Sequence, residues 1–584
     1  MRIKSLTSSE RRLWDAFPTG ERVTLGNGDP RHGASWGPDR TIRAEVIREL
    51  LVSTRSPSRA GVPAVRLTGA RIVGELDLRF AAVSYPLSLR SCHITDLLNL
   101  HGLRCREIDL AGSRVREGLH ASTAFIDGHL LLNQALIDGT VRLIATHIAG
   151  ALFMNGTRLG GRGGRPVFEA DRLRVDADLL CRDGFHADGE MRLPGARVGD
   201  SVDFHGATLD NPKACALAAP RIVVGGDLLG QGAFSANGSI NMDGATVEGR
   251  LDLDGARLNN PGGYALQAAR LTVGGEMRCG ADFAADGEVH LLNARITGPL
   301  TVDDARIRNP HRVGLHASGL TADGLYGRRL LVEGAVRLSG ARITGPLDLA
   351  GSRFRESADL SLGCWWLTAR ELKLRPAECP SGVVDLRYAR LGLLEYEPKT
   401  LPGELRLDGL TYNAIEPSTS VDAGLACLDR APPGFRPQPY EQLAETYRGV
   451  GNDAYARNVL LAKERRRRAG LPLPVRLWGY LQDFTVGYGY RPWRAALWLG
   501  LMLVAGTIAF HVRHPVAAES GPAPPFSPFF YTLDLLLPII DLGQRKAYAP
   551  PPGWSQWLMY GLIIVGWILA TTIAAAITRA LRRQ

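Results

Sequence analysis

Aromatic side chains make up only 7% of this sequence, and none of its eight cysteines stands in a C-x-x-C pair. Few rings exclude a core built on bulky aromatics and suit thin layers filled by Leu, Ile, Val and Ala. Without paired cysteines or a nearby histidine spacing there is no zinc-ribbon signature and no dithiol motif. Cys92, Cys105, Cys181, Cys215, Cys279, Cys364, Cys379 and Cys427 are therefore expected to be buried as small hydrophobes. A dinucleotide cradle needs Gly-x-Gly-x-x-Gly between a strand and a helix, and Gly26-Asn27-Gly28 and the glycines between Gly160 and Gly164 have neither setting. No haem-attachment motif occurs, so the sequence implies no cofactor. The opening residues lack the apolar core of a secretory signal, so the residues before the first membrane span are expected to stay in the cytoplasm.

Net charge is +10 but unevenly spread, at +4 in residues 1–60, +7 in residues 411–584 and −1 between them. A near-neutral middle argues against nucleic acid as a partner, which would call for a basic stripe, and equally against an acidic mimic of DNA.

What the sequence has in quantity is glycine, 67 residues of it, within a recurring ten-residue theme. GARITGPLDL begins at Gly340, with near copies at Gly69, Gly195, Gly244 and Asn293; the last four copies are 49, 49 and 47 residues apart. A fixed period of this size marks a repeat architecture. Within each theme, apolar and polar residues alternate on either side of a glycine corner. Around Gly345 the inward set is Ala341, Ile343, Leu347 and Leu349, and the outward set is Arg342, Thr344 and Asp348. Segments this short cannot bury a face alone, whereas stacked coils pair every backbone group with the coils above and below. The expected fold is mainly β, a parallel β-solenoid over residues 64–412, with two themes of about 11 to 14 residues to a coil and two coils to the 49-residue unit. These residues resemble the pentapeptide-repeat family, which implies a right-handed, four-sided β-helix.

Residues 1–63 read as a helical cap that shields the open edge of the first coil. Its first helix would be N-capped by Ser8 or Ser9, and its second would run over residues 41–51 with Ile42, Val46, Ile47 and Leu50 on one face. Residues 413–490 hold a proline-rich break, a helical hairpin around Gly451 and a basic juxtamembrane segment. Tyr440, Leu443, Ala444, Tyr447, Gly451 and Ala456 resemble a single tetratricopeptide hairpin.

Residues 491–584 read as a two-span membrane domain, with spans over 495–512 and 557–578. Arg465, Arg466, Arg467, Arg468, Arg491 and Arg494, with Trp493 and Trp557, would anchor it to a bilayer with anionic lipid headgroups. Arg579, Arg582 and Arg583 follow the second span, so the positive-inside bias predicts a plasma-membrane protein with both termini cytoplasmic. Residues 525–544 are apolar yet contain Asp534 and Asp541, which suggests a re-entrant or interfacial segment that aids helix packing or oligomerisation, or, as the alternative, a pore.

The order of cap, GARITG-type repeats, YEQLAETYR hairpin and two spans resembles an actinobacterial family of membrane-anchored repeat proteins often labelled "membrane-associated oxidoreductase". That resemblance implies a redox activity, although no motif in this chain assigns it a residue. Outward Asp77, Asp109, Asp252 and Asp348 read as solvated surface rather than paired catalytic carboxylates, and His101, His120, His205, His290 and His316 show no ligand spacing. The resulting expectation is a membrane-held cytoplasmic scaffold or protein-docking surface for an unknown protein partner, homo-oligomerisation being open. The alternatives are an oxidoreductase with an unrecognised cofactor site and a channel-like membrane effector.

Overall fold

The computed structural model describes residues 5–52, 61–161, 166–355, 359–417, 420–432, 434–470, 472–490, 492–518, 524–537 and 540–581. They form two compact units, residues 1–419 with 426–432, and residues 420–425 with 433–584.

The first unit is the solenoid, and all its ladders are parallel. On one side Arg104 pairs with Phe125, Phe125 with His147 and His147 with Arg174; on another Leu119 pairs with Val141 and Val141 with Phe168. Register partners are thus 21 to 27 residues apart, so two themes do make one coil. A coil carries four short strands, for example Arg104–Cys105, Ile108–Asp109, Arg114–Val115 and Leu119–His120. About 15 such coils stack, which at ~4.8 Å per coil gives a solenoid roughly 70 Å long. The alternation reads inside from outside correctly for the apolar set, since Ala341, Ile343, Leu347 and Leu349 are all buried.

The 49-residue unit has a structural cause. The strands Thr208–Ala218, Arg257–Gln267 and Arg306–His316 are 11 residues long and each bulges at an Asn-Pro pair. In each bulge the asparagine amide closes the loop, Asn211 donating to the Cys215 carbonyl at 2.7 Å, Asn260 to Tyr264 at 2.8 Å and Asn309 to Val313 at 2.7 Å. The coil that follows has a plain strand at this place, Ser235–Asn241, Ala284–His290 and Leu331–Arg337. Every second coil is therefore the wide one.

The N-terminal residues extend the solenoid as well as covering it. Helix α1 (Ser8–Ala16) is capped by Thr7, one residue before the expected position, in a capping box with Glu10. Residues 41–43, expected to open the second helix, instead form the strand Thr41–Arg43, paired in parallel with Arg71–Val73; helix α2 (Ala44–Val52) starts after it. The β-branched Thr41-Ile42 pair favours the extended form, and the edge of the first full coil supplies its partner. Val23–Thr24 pairs likewise with Leu67–Thr68.

Glu10 ties these pieces together. Its buried carboxylate accepts from Arg43 Nε at 2.8 Å and Nη2 at 2.7 Å and from the Thr7 amide at 2.9 Å. Burial opposes its ionisation, but the hydrogen bonds from Arg43 and the backbone outweigh burial and hold its carboxyl below the ordinary value of 4.5. Because the folded value is depressed, the contribution is full above the ordinary value and vanishes as pH falls through the folded one. Glu10→Gln is expected to cost about 2 kcal/mol at neutral pH, less than a fully buried pair because Arg43 is partly exposed. Thermal unfolding in mild detergent should show wild type and variant converging in acid; a pH-independent difference would refute this.

Seven of the eight cysteines are wholly or partly buried, but Cys379 is exposed, against expectation. It lies in the irregular stretch between the strands Thr368–Leu374 and Val383–Asp385, where Pro376 and Pro380 take the buried positions.

After α3 (Val421–Leu428), α4 (Gln438–Gly449) and α5 (Asp453–Ala469) form the expected hairpin of the second unit, closed by Tyr440, Leu443, Ala444, Tyr447 and Ala456, all buried. Helix α6 (Leu473–Val486) was not anticipated. It is followed by α7 (Pro492–Val512), the short α8 (Pro528–Leu536), the single turn α9 (Gln544–Ala547) and α10 (Trp554–Leu581). Two helices are long and apolar enough to cross a membrane, over Trp493–Val512 and Trp554–Thr571. Helix α8 packs against both, its Tyr531, Leu535 and Leu536 forming a core with Phe510 and Leu562. At Gly566 a Cβ would stand 2.5 Å from the Leu536 carbonyl, so α8 ends directly on the backbone of α10.

Candidate functional site

Stacking in register turns a residue recurring once per coil into a row along the solenoid. One polar row runs from Asp77 through Asn99, His120, Arg142 and Glu169 to Arg192, and resumes as Asn241, Gln267, His290, His316 and Arg337. Its charges largely neutralise within the row or beside it, as in Arg142–Glu169 at 2.5 Å and Arg192–Asp171 at 3.2 Å.

A second row is basic. Arg295, Thr321, Arg342, Thr368, Arg390 and Thr411 follow one another in register, and all are exposed. Its arginines recur every second coil, about 10 Å apart. Among the described residues no carboxylate forms an ion pair with these three arginines. Composition hid this row, because the solenoid balances its arginines overall while segregating them by face.

The four aspartates expected on the surface are placed differently. Asp109, Asp252 and Asp348 are buried at corners, where each accepts a hydrogen bond from the backbone amide two residues on: Ala111 at 3.1 Å, Asp254 at 3.1 Å and Ala350 at 3.0 Å. These are Asx turns that satisfy the corner amides. Asp77 makes the same turn and is half-exposed; the hydrogen bonds of Arg79 hold its carboxyl down to about 2. Asp252 and Asp348 share a row but are separated by Arg278, Thr301 and Tyr326, so these two carboxylates do not form a glycosidase pair. Arg342 and Asp348, both outward by alternation, belong to separate rows, and Arg71, at the same place in the copy that begins at Gly69, belongs to a third.

Two of the histidines do come together. His290 and His316 are direct register partners on adjacent coils, their rings edge to face with centroids 4.7 Å apart. Glu288, two residues before His290 on the same strand, shares its face. Its Oε1 lies 2.6 Å from His290 Nδ1 and 3.3 Å from His316 Nδ1. All three side chains are largely buried, and one donor atom from each lies within 4.8 Å of the others. Burial disfavours the Glu288 carboxylate, yet hydrogen bonds from His316 and then His290 more than offset burial, so its carboxyl lies below the ordinary value. Tyr264, in the wide coil before, sets its ring against His290 at 5.2 Å. Sequence spacing missed the cluster because the two histidines are 26 positions apart and meet only through the register of adjacent coils.

A groove of about 640 Å³ near the last coils is lined by Asp359, Ser381, Asp385, Glu404 and Arg406. Two of its carboxylates are already paired, Asp385 with Arg387 at 2.6 Å and Glu404 with Arg406 at 2.8 Å. Gly26 and Gly28 pack on the guanidinium of Arg40; of the second glycine cluster, residues 162–164 lie outside the described residues.

In the second unit, Arg465 and Arg468 turn to Asp483 of α6, at 3.0 and 3.3 Å. Arg467 is exposed and lies 3.7 Å from Glu464, and Arg466 is exposed as well. Arg494 donates to the Asp483 carbonyl at 3.2 Å, and Trp493 and Trp557 are exposed. Arg491, Arg582 and Arg583 lie outside the described residues. Asp534 is buried and accepts from the backbone amides of Leu542 at 3.1 Å and Arg545 at 2.8 Å, whereas Asp541 is exposed and paired with Lys546 at 2.5 Å. No family model, curated protein or solved structure matches the chain.

Proposed function

We propose that this protein is a docking scaffold held at the plasma membrane, with the solenoid and both termini in the cytoplasm. The observation that carries the reading is where apolar surface is left uncovered. Leu477 and Phe484 of α6, Leu501 and Ile508 of α7, and Ile564 and Trp567 of α10 are all exposed, and such surface has lipid as its natural solvent. A soluble core helix would be mostly buried; these two long helices are mostly bare. Arg465, Arg466 and Arg467 are exposed and bring positive charge to the side that would meet anionic headgroups. On the solenoid, the row of Arg295, Arg342 and Arg390 offers regularly spaced cations to an acidic protein surface.

The alternatives find less support. Asp534 spends its two oxygens on backbone amides, a structural use that leaves a pore no charge there. A dithiol couple needs two accessible thiols; burial pushes those of Cys92, Cys105 and Cys427 up to about 12, and Cys379 is the one exposed thiol of the eight.

Fractionation tests the reading. The full chain is expected to stay with membranes through an alkaline wash, and a chain ending at residue 432 to be released. Release of the full chain would refute membrane insertion. Reversing Arg295, Arg342 and Arg390 to glutamate should remove cross-linked protein partners without changing fractionation; unchanged partners would remove that row as the docking face.

A further inference from the structure

The fold that presents Glu288, His290 and His316 does not require them. One unit earlier, 49 residues back, the same backbone positions hold Ser239, Asn241 and Gln267, on strands with the same pairing. One unit later, 47 residues on, they hold Ala335, Arg337 and Gly363. The coil thus accepts small, neutral or basic residues at these places. Only the middle unit puts three potential ligand atoms within 4.8 Å of one another.

We propose that Glu288, His290 and His316 bind a divalent transition-metal ion of the zinc type. Two imidazoles and one carboxylate form the donor set of open zinc sites, whereas calcium and magnesium prefer oxygen alone. A tetrahedral ion about 2.05 Å from each donor holds the donors roughly 3.3 Å apart. The Glu288–His316 separation is already 3.3 Å. The Glu288–His290 separation of 2.6 Å is that of a hydrogen bond and must widen by roughly 0.7 Å as the metal replaces the shared proton, within reach of a rotation of the flexible glutamate. The backbone beneath is closely approached by the bulge of the coil before, since a Cβ at Gly287 would stand 2.6 Å from the Asn260 carbonyl oxygen and 2.9 Å from that of Gly263. Tyr264 walls one side beside His290. Arg337, one rung beyond His316, is exposed, so solvent screens its charge from the ion. Three protein donors leave a fourth position for water or for a ligand group of a docked partner.

The test uses the full chain in mild detergent, stripped with chelator and titrated with Zn²⁺ by calorimetry. Saturable uptake at this site is expected, weakened at least about tenfold by His316→Gln and abolished by the triple change Glu288→Ser, His290→Asn and His316→Gln. That triple variant carries the residues the chain itself uses one unit earlier, so its metal-free thermal unfolding should match wild type. Cys379→Ser, at the exposed thiol, should leave uptake unchanged. With Co²⁺ the expected spectrum has weak visible bands and no sulfur charge-transfer band. No zinc uptake by wild type, equal uptake by the triple variant, or a sulfur band lost in Cys379→Ser would each overturn the proposal.

Discussion

Leu347→Asp is expected to destabilise the solenoid by roughly 4 kcal/mol or more, the scale for stranding a charge in an apolar interior. Leu347 is fully buried and stacks in register between Leu325 and Leu372, both buried as well. An aspartate there would have apolar neighbours on the rungs above and below and no cation within the coil. It would either remain charged without a partner or take up a proton at the expense of stability. The defect should spread, because a parallel coil is held by its two neighbours and has no independent core. Arg342→Ala, on the same strand but exposed, is the matched control and should change stability by less than about 0.5 kcal/mol. Denaturant unfolding of the full chain in detergent, followed by the β signal in circular dichroism, checks both. Equal midpoints for Leu347→Asp and wild type would refute the inward assignment.

Gly287→Val should come next in size, at roughly 3 to 5 kcal/mol. Gly287 has φ of +129°, outside the range open to a β-branched residue. A Cβ there would lie 2.6 Å from the Asn260 carbonyl oxygen and 2.9 Å from that of Gly263, both backbone atoms of the bulge that cannot swing aside. Gly340→Ala separates the two causes. Its φ of +67° carries the conformational penalty, but nothing lies within 4 Å of its Cβ position, so it should lose only about 1 kcal/mol. Comparable losses at the two glycines would show that the bulge contact contributes nothing. The Gly287 variant should also lose zinc uptake, since Glu288 is seated by the same contact.

Period and alternation were legible in the sequence because both are local. Recurrence at 49 residues and the apolar set around Gly345 require nothing beyond nearest neighbours along the chain, and they sufficed for coil length, strand direction and the buried face. The long apolar runs over Trp493–Val512 and Trp554–Thr571 could be read for the same reason. Asp348 shows the limit of such reading. Alternation sends it outward, yet at a corner its carboxylate folds back on the Ala350 amide and becomes buried. Alternation describes a straight strand, and a corner is where that description ends. Thr41–Arg43 shows the same limit from the other side, since a helix-like pattern became a strand once the edge of the first coil offered it a ladder.

Only the tertiary structure decided which residues meet. Stacking brings together side chains more than twenty positions apart, and the coil lengths that set their register vary with each bulge, so no fixed spacing could have been sought in advance. It joined His290 and His316 to Glu288, set Arg295, Arg342 and Arg390 in one exposed row, and drew Arg465 and Arg468 of the basic run onto Asp483. The sequence by itself determined that a solenoid forms and which way its apolar side chains face, because burying alternate residues is favourable coil by coil. The chemistry of its surface was decided by register, a property of two coils at once.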